Sequence, residues 1–281
     1  MKLNTISTSH LSKTQIPFFV LAVMGAASAA IHVGLVAQSN DDSLLPLSLL
    51  FWLSAGSLIW QKRHQLTLHT NALSMLAGGV LIAIFLAWGI KAPTDNYLAA
   101  GPFIATVGLA VFCSSWRNLT QYRAEFILMF MFGIPKVLLW SVIDLRGITA
   151  RLSTAMLQAA SFDVLRDGRI ISLPTGSVEV IHDCSGLNGI LYLLSMSALL
   201  LIMAPIQGTK RYLVPLMGVA IAFLFNGVRV AFLAIMAADT DPQRFQHWHG
   251  TSIFSLGALG FFCAIYCLIL WREKREAISS L

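Results

Sequence analysis

Charge is what this sequence has least of. Asp, Glu, Lys and Arg together make up 11% of its 281 residues, while 57% are hydrophobic and the mean hydropathy is +0.74. A water-soluble fold of this length needs more charge to cover its surface and would not carry apolar runs of bilayer length. The chain therefore reads as an integral membrane protein. Cysteine is scarce too. Cys113, Cys184, Cys263 and Cys267 form no Cys-x-x-Cys pair and lie mostly in apolar runs, which argues against a disulfide framework. Cys263 and Cys267, one helical turn apart in such a run, read as packing residues. The net charge of +6 does not imply a nucleic-acid partner, because no basic face interleaved with aromatics accompanies it. The partner implied by composition is the lipid bilayer. No internal repeat, low-complexity tract or soluble cofactor is implied, and oligomeric state is left open.

What is present is a series of unbroken apolar stretches of bilayer-spanning length. Eight are expected, at about 16–36, 44–60, 72–90, 102–116, 126–143, 185–204, 212–237 and 251–271. The first resembles a signal anchor, being too long for the apolar part of a signal peptide. The fifth is interrupted by Gly133, Pro135 and Lys136, so a kink or re-entrant entry is expected there. With alternating sides, 11 of the 19 Lys and Arg fall on the side holding both termini, among them Lys62, Arg63, Lys210 and Arg211. By the positive-inside tendency that side is cytoplasmic.

Between the fifth and sixth spans lies the one sizeable polar segment, about 144–183. Leu152, Met156, Ala159 and Ala160 recur at helical spacing, with Arg151 and Gln158 off that face, predicting an amphipathic helix along the membrane interface. Two extended stretches, 169–172 and 177–181, flank Leu-Pro-Thr-Gly and predict a short β-hairpin. The expected fold is thus an all-α integral membrane protein of about eight transmembrane helices, with an extracytoplasmic amphipathic helix and hairpin inserted. It forms a single polytopic domain over 1–281.

The hairpin delivers the chain to Val178-Glu179-Val180-Ile181-His182-Asp183-Cys184-Ser185-Gly186-Leu187-Asn188-Gly189. A thiol in the first turn of a helix faces unpaired amides and the positive end of the dipole, which lower its pKa and favour the nucleophilic thiolate. The competing reading is inert packing, the usual fate of cysteine in apolar helices. Arg229 interrupts the seventh span. The 17 residues from Tyr212 lift it about 25 Å into a core about 30 Å thick, to the leaflet Cys184 faces. An arginine there costs on the order of 3 kcal/mol, so it should face protein or a wet cavity; the plain alternative is snorkelling or a carboxylate partner. Asn226 lies on the same face, one turn earlier. His247 and His249 stand at the start of the eighth span beside Trp248, on the same outer side, and at least one of them is an ordinary interfacial residue. A thiol, an arginine and a histidine at one depth form a site for acyl transfer: the histidine takes the proton, the thiolate attacks a carbonyl, and the arginine serves the oxyanion or the leaving amide.

These residues carry a resemblance. Val-Glu-Val-Ile-His-Asp-Cys-Ser-Gly-Leu, then Asn-Gly-Val-Arg-Val, then Trp-His-Gly followed by Phe254 is similar to the exosortase and archaeosortase family, with a flavour closest to cyanobacterial-type exosortases. The likeness runs in order over about 126–271, the expected catalytic core. It implies a membrane-embedded cysteine protease or transpeptidase of the inner membrane, with its site facing outward. It also implies partners: exported proteins ending in a sorting tail, often Pro-Glu-Pro, then a transmembrane helix and a basic cluster, in systems that accompany exopolysaccharide production. By matching position the resemblance makes Cys184 the nucleophile and Arg229 the proton donor or oxyanion stabiliser. One of His249 and His247 is the third member, His249 favoured for its Phe-x-x-Trp-His context, and Asn226, Ser185 and Gly186 are supporting residues. The family pattern has histidine four residues before glycine; here His247 is three before Gly250 and His249 adjoins it.

Two rival readings stand beside this one. His182, Cys184, His247 and His249 offer four ligands of zinc-binding type, although the two-residue spacing suits strands better than helix mouths. A non-enzymatic transporter or polysaccharide-export partner would use Arg229 to hold an anion.

Overall fold

The computed structural model describes residues 15–39, 44–91, 94–237 and 253–279. Its elements, in order, are α1 (Gln15–Val36), α2 (Leu44–Gln61), α3 (Ala72–Lys91), α4 (Asp95–Cys113), a 3₁₀ turn (Trp116–Tyr122) and α5 (Arg123–Leu139). Then come α6 (Arg146–Ala159), β1 (Leu165–Asp167), β2 (Ile170–Leu173), β3 (Gly176–Glu179), a 3₁₀ turn (His182–Cys184), α7 (Leu187–Met203), α8 (Lys210–Met236) and α9 (Ile253–Ser279). Six of these helices are long and apolar enough to cross a bilayer, at Ile16–Val36, Leu44–Gln61, Ala72–Ile90, Asp95–Cys113, Lys210–Met236 and Ile253–Glu276. The chain is an all-α multi-pass membrane protein with a short sheet. The count of eight expected from sequence exceeds these six. The fifth and sixth expected spans correspond to α5 and α7, each 17 residues long. α5 carries Arg123, Glu125 and Lys136 and ends at Leu139. α7 starts only at Leu187, because the preceding residues are used in a 3₁₀ turn and a left-handed glycine.

The chain folds as two compact units, Met1–Gly133 and Ile134–Leu281. In the first, α3 and α4 pack at close range: a Cβ on Gly78 would collide with the Phe112 main chain, and one on Gly108 would lie 3.1 Å from Leu81 and Ile82. Small residues at crossings are how helices gain contact where lipid supplies no hydrophobic drive. α4 begins earlier than the expected 102–116, at Asp95, with the Thr94 hydroxyl accepting from the Tyr97 amide. Pro102 looks like a helix start in sequence but lies inside the helix. Having no N–H, it leaves the Leu98 carbonyl without its helical donor, and the His32 ring fills that role at 2.9 Å from Nε2. Trp52 Nε1 donates to His32 Nδ1 at 3.2 Å, so the ring is neutral with its proton on Nε2. Elsewhere in this unit Lys62 pairs with the buried Glu125 at 2.7 Å.

The second unit contains the sheet. Its order is β1-β2-β3, antiparallel throughout, three strands rather than the two expected. Both connections are two residues long: Gly168-Arg169, with Gly168 at φ +57°, and Pro174-Thr175. Ile171 and Val180 face inward and pack with Ala150 and Leu157 of α6 and Val230, Ala231 and Ala234 of α8. Each fully buried Val, Ile or Leu contributes roughly 1.5–3 kcal/mol, so this small core fixes the sheet on the two helices. The buried face of α6 is Thr149, Ala150, Ser153, Thr154 and Leu157. Of Leu152, Met156, Ala159 and Ala160, expected as the apolar face toward the membrane interface, the first two are half-buried and the last two exposed. Thr149 and Ser153 turn inward because each donates to a main-chain carbonyl, Ser185 at 2.7 Å and Gly227 at 3.0 Å.

Candidate active site

After β3 the chain tightens into the His182–Cys184 turn, held by Cys184 N donating to Ile181 O at 3.1 Å and Ser185 N donating to His182 O at 3.0 Å. Gly186 follows at φ +87° and is the N-cap of α7. A Cβ there would lie 2.8 Å from Asn226 Nδ2, so the position demands glycine for both its backbone angle and its space. Two neighbouring helices clamp this turn. Asn226 of α8 donates from Nδ2 to Cys184 O at 2.9 Å, and Thr149 of α6 donates to Ser185 O. Ser185 is buried, with its hydroxyl 3.4 Å from the Leu187 amide.

Cys184 thus stands two residues before the N-cap of α7 rather than within its first turn, and its thiol is not lowered as the sequence suggested. Burial pushes the Cys184 thiol up; the Arg229 guanidinium pulls it down and the Asp183 carboxylate pushes it up again, with burial the largest of the three. The thiol is therefore the resting form at neutral pH, and a nucleophilic role requires a base. Arg229 is close enough for its charge to act on the sulfur, and Asn226, one turn away on α8, holds the same residue's carbonyl. The structure brings Cys184, Ser185, Gly186, Asn226 and Arg229 into one neighbourhood. His247 and His249 lie outside the described residues.

The sulfur opens onto a cleft of about 240 Å³ lined by the consecutive residues Ser177 to Ile181, by Cys184, and by Val230 and Leu233 of α8. His182 packs against Trp140 with ring centroids 4.3 Å apart and the rings tilted by 46°, and its Nδ1 is buried with no hydrogen-bond partner among the described residues. Outside the cleft, the Asp144 carboxylate binds Arg146 at 2.9 Å and Arg169 at 2.8 Å, tying the start of α6 to the β1–β2 turn. These two guanidiniums, chiefly the hydrogen bond from Arg146, hold the Asp144 carboxyl well below the usual range. Sequence reasoning missed Thr149. Its signal was the Thr149/Ser153 pair at i, i+4, hydroxyls on one helical face with no apolar reason to be buried. Among the described residues no cluster of three or more His, Cys, Asp or Glu is placed to hold a metal; two of the four zinc ligands considered above, His247 and His249, are not among those residues.

A family model described as a transmembrane exosortase matches residues 39–271. No curated protein and no solved structure matches the chain.

Proposed function

The chain belongs to the transmembrane exosortase family, and from that premise we propose that it is a cysteine peptidase or transpeptidase that cuts exported proteins beside their C-terminal transmembrane helix. One observation carries the reading: Asn226 of α8, one turn from Arg229, donates to the main-chain carbonyl of Cys184 at 2.9 Å beside a cleft that Cys184 helps line.

The chemistry begins with a neutral thiol. A histidine of the 247–249 pair, His249 foremost, accepts the proton from Sγ, and the thiolate adds to the scissile carbonyl. The negative charge passes to the carbonyl oxygen, where the Arg229 guanidinium stabilises it in a setting poor in water. Collapse of this tetrahedral adduct breaks the C–N bond. The leaving amine takes the proton from the imidazolium, the tail departs with its transmembrane helix, and the exported protein remains as a thioester on Cys184. Water, or an acceptor amine or hydroxyl, then attacks the thioester and restores the thiol. Since Arg229 already lowers the thiol pKa against the pull of burial, the same cation serves the thiolate and then the oxyanion.

The reading places both termini in the cytoplasm and the Cys184 cleft on the outer face of the inner membrane, where a substrate helix enters laterally from lipid. The test is co-expression with a tagged reporter ending in Pro-Glu-Pro, a transmembrane helix and an arginine cluster. The shortened product is expected with the unaltered chain and lost with Cys184→Ala and with Arg229→Ala. Processing that survives Cys184→Ala would exclude the peptidase and favour a transport or export role.

A further inference from the structure

Among the described residues β3 is an edge strand, and its residues line the Cys184 cleft. The Val180 amide donates to Arg169 O at 3.0 Å, and the register pairs Ile171 with Val178 and Leu173 with Gly176. In an antiparallel ladder alternate residues turn their N–H and C=O toward the partner, so Gly176, Val178 and Val180 bond to β2 while Ser177 and Glu179 present theirs on the opposite side. Among the described residues no strand pairs with that side and no hydrogen bond is made to it. Exposed strand edges are usually blunted, because they template pairing with another chain. Among the described residues no strand covers this one, and no proline interrupts it. Ser177 to Ile181, about 16 Å of chain at strand spacing, line the same cleft as Cys184.

We propose that the substrate docks by strand addition: the extended segment on the outer side of its transmembrane helix pairs with the free edge of β3, which carries its scissile peptide bond to Cys184. The proposal rests on the peptidase reading above and names how that site grips its substrate. Main-chain pairing accounts for a cleft lined by consecutive strand residues and by few groups able to read side chains. It makes recognition depend on an extended, unpaired backbone, which is what a polypeptide has between a folded domain and a membrane helix. Strand addition holds a peptide through alternate residues only, which distinguishes it from docking of a helix or a coil.

Two experiments with the full-length protein and the tail-bearing reporter test this. With Cys184→Ser, Cys263→Ala and Cys267→Ala to remove the site thiol and the two accessible native thiols, Glu179→Cys is expected to form disulfides with cysteines scanned through the reporter segment at every second position. A spacing of three to four, no periodicity, or disulfides only between two copies of the enzyme would overturn the proposal. With Cys184 intact, Glu179→Pro removes one outward N–H without touching the β2 ladder. It is expected to process the reporter at least tenfold more slowly than Glu179→Ala, and equal rates would overturn strand addition. The cross-linking arm decides the matter if the proline variant accumulates poorly. If Cys184→Ala leaves processing intact, the peptidase reading fails; if Cys184 is required but the two-residue period is missing, strand addition alone fails.

Discussion

Cys184 sits under opposing influences, and burial prevails over the Arg229 charge. Because burial outweighs Arg229, alkylation of Cys184 by a small electrophile should climb with pH through neutrality and level off only above 9.0, the ordinary value. Arg229→Gln removes a charge that lowers the thiol pKa, so alkylation at pH 8 should slow severalfold, and Arg229→Lys should restore part of the rate. A rate that is flat from pH 6 to 9 would mean the thiolate is already formed. Gly186→Ala should cost about 1–3 kcal/mol, since it forces a side chain into left-handed backbone and against Asn226, read as a lower melting temperature in detergent. Arg229 and Asn226 stood out in the sequence because a polar residue in a bilayer-length apolar run is costly, and Cys184 because it lies in a polar segment at the mouth of such a run. Thr149 did not, since a threonine in a mixed helix carries no such mark. The direction of the thiol shift was misread because helix position is visible in sequence and burial is not.

Among the elements, α4 shows why a proline misleads. Pro102 suggests a boundary, yet in a membrane the carbonyl it releases must find another donor, and His32 on α1 supplies one. His32→Ala should therefore cost about 1–3 kcal/mol by leaving Leu98 O unpaired in a buried setting. Pro102→Ala restores the helical N–H, so the double variant should be less destabilised than the sum of the two single changes, measured by thermal unfolding in one detergent. Additive losses would show that the contact carries no weight. The sheet was half legible. Leu-Pro-Thr-Gly revealed the β2–β3 turn, while β1 is three residues long and exposed, with Asp167-Gly168 as its only signal. The protein-facing side of α6 gave little apolar signal, because three of its five buried residues, Thr149, Ser153 and Thr154, carry hydroxyls.

At the scale of the whole molecule, sidedness turns on α5 and α7. α1 to α4 are four candidate spans. If α5 also crosses, the sheet lies on the side opposite the N-terminus; if α5 and α7 both stop short, the sheet returns to the N-terminal side. A single cysteine replacing Gly168, an exposed turn residue, in a chain with Cys267→Ala should react in intact cells with a maleimide that cannot cross the inner membrane. Labelling only after that membrane is breached would place the sheet in the cytoplasm and remove the outward-facing site. Membrane character was plain from composition, because charge is too sparse for any other solvent, whereas span number depends on where helices end, and caps and turns set that. α7 gives this a further edge. Seventeen residues rise about 25 Å against a hydrocarbon layer of about 30 Å, so a crossing α7 pinches the leaflets around the cleft. Longer acyl chains would resist that dimple, and proteoliposomes made from progressively thicker lipids should show declining turnover even though every side chain at the sulfur is unchanged.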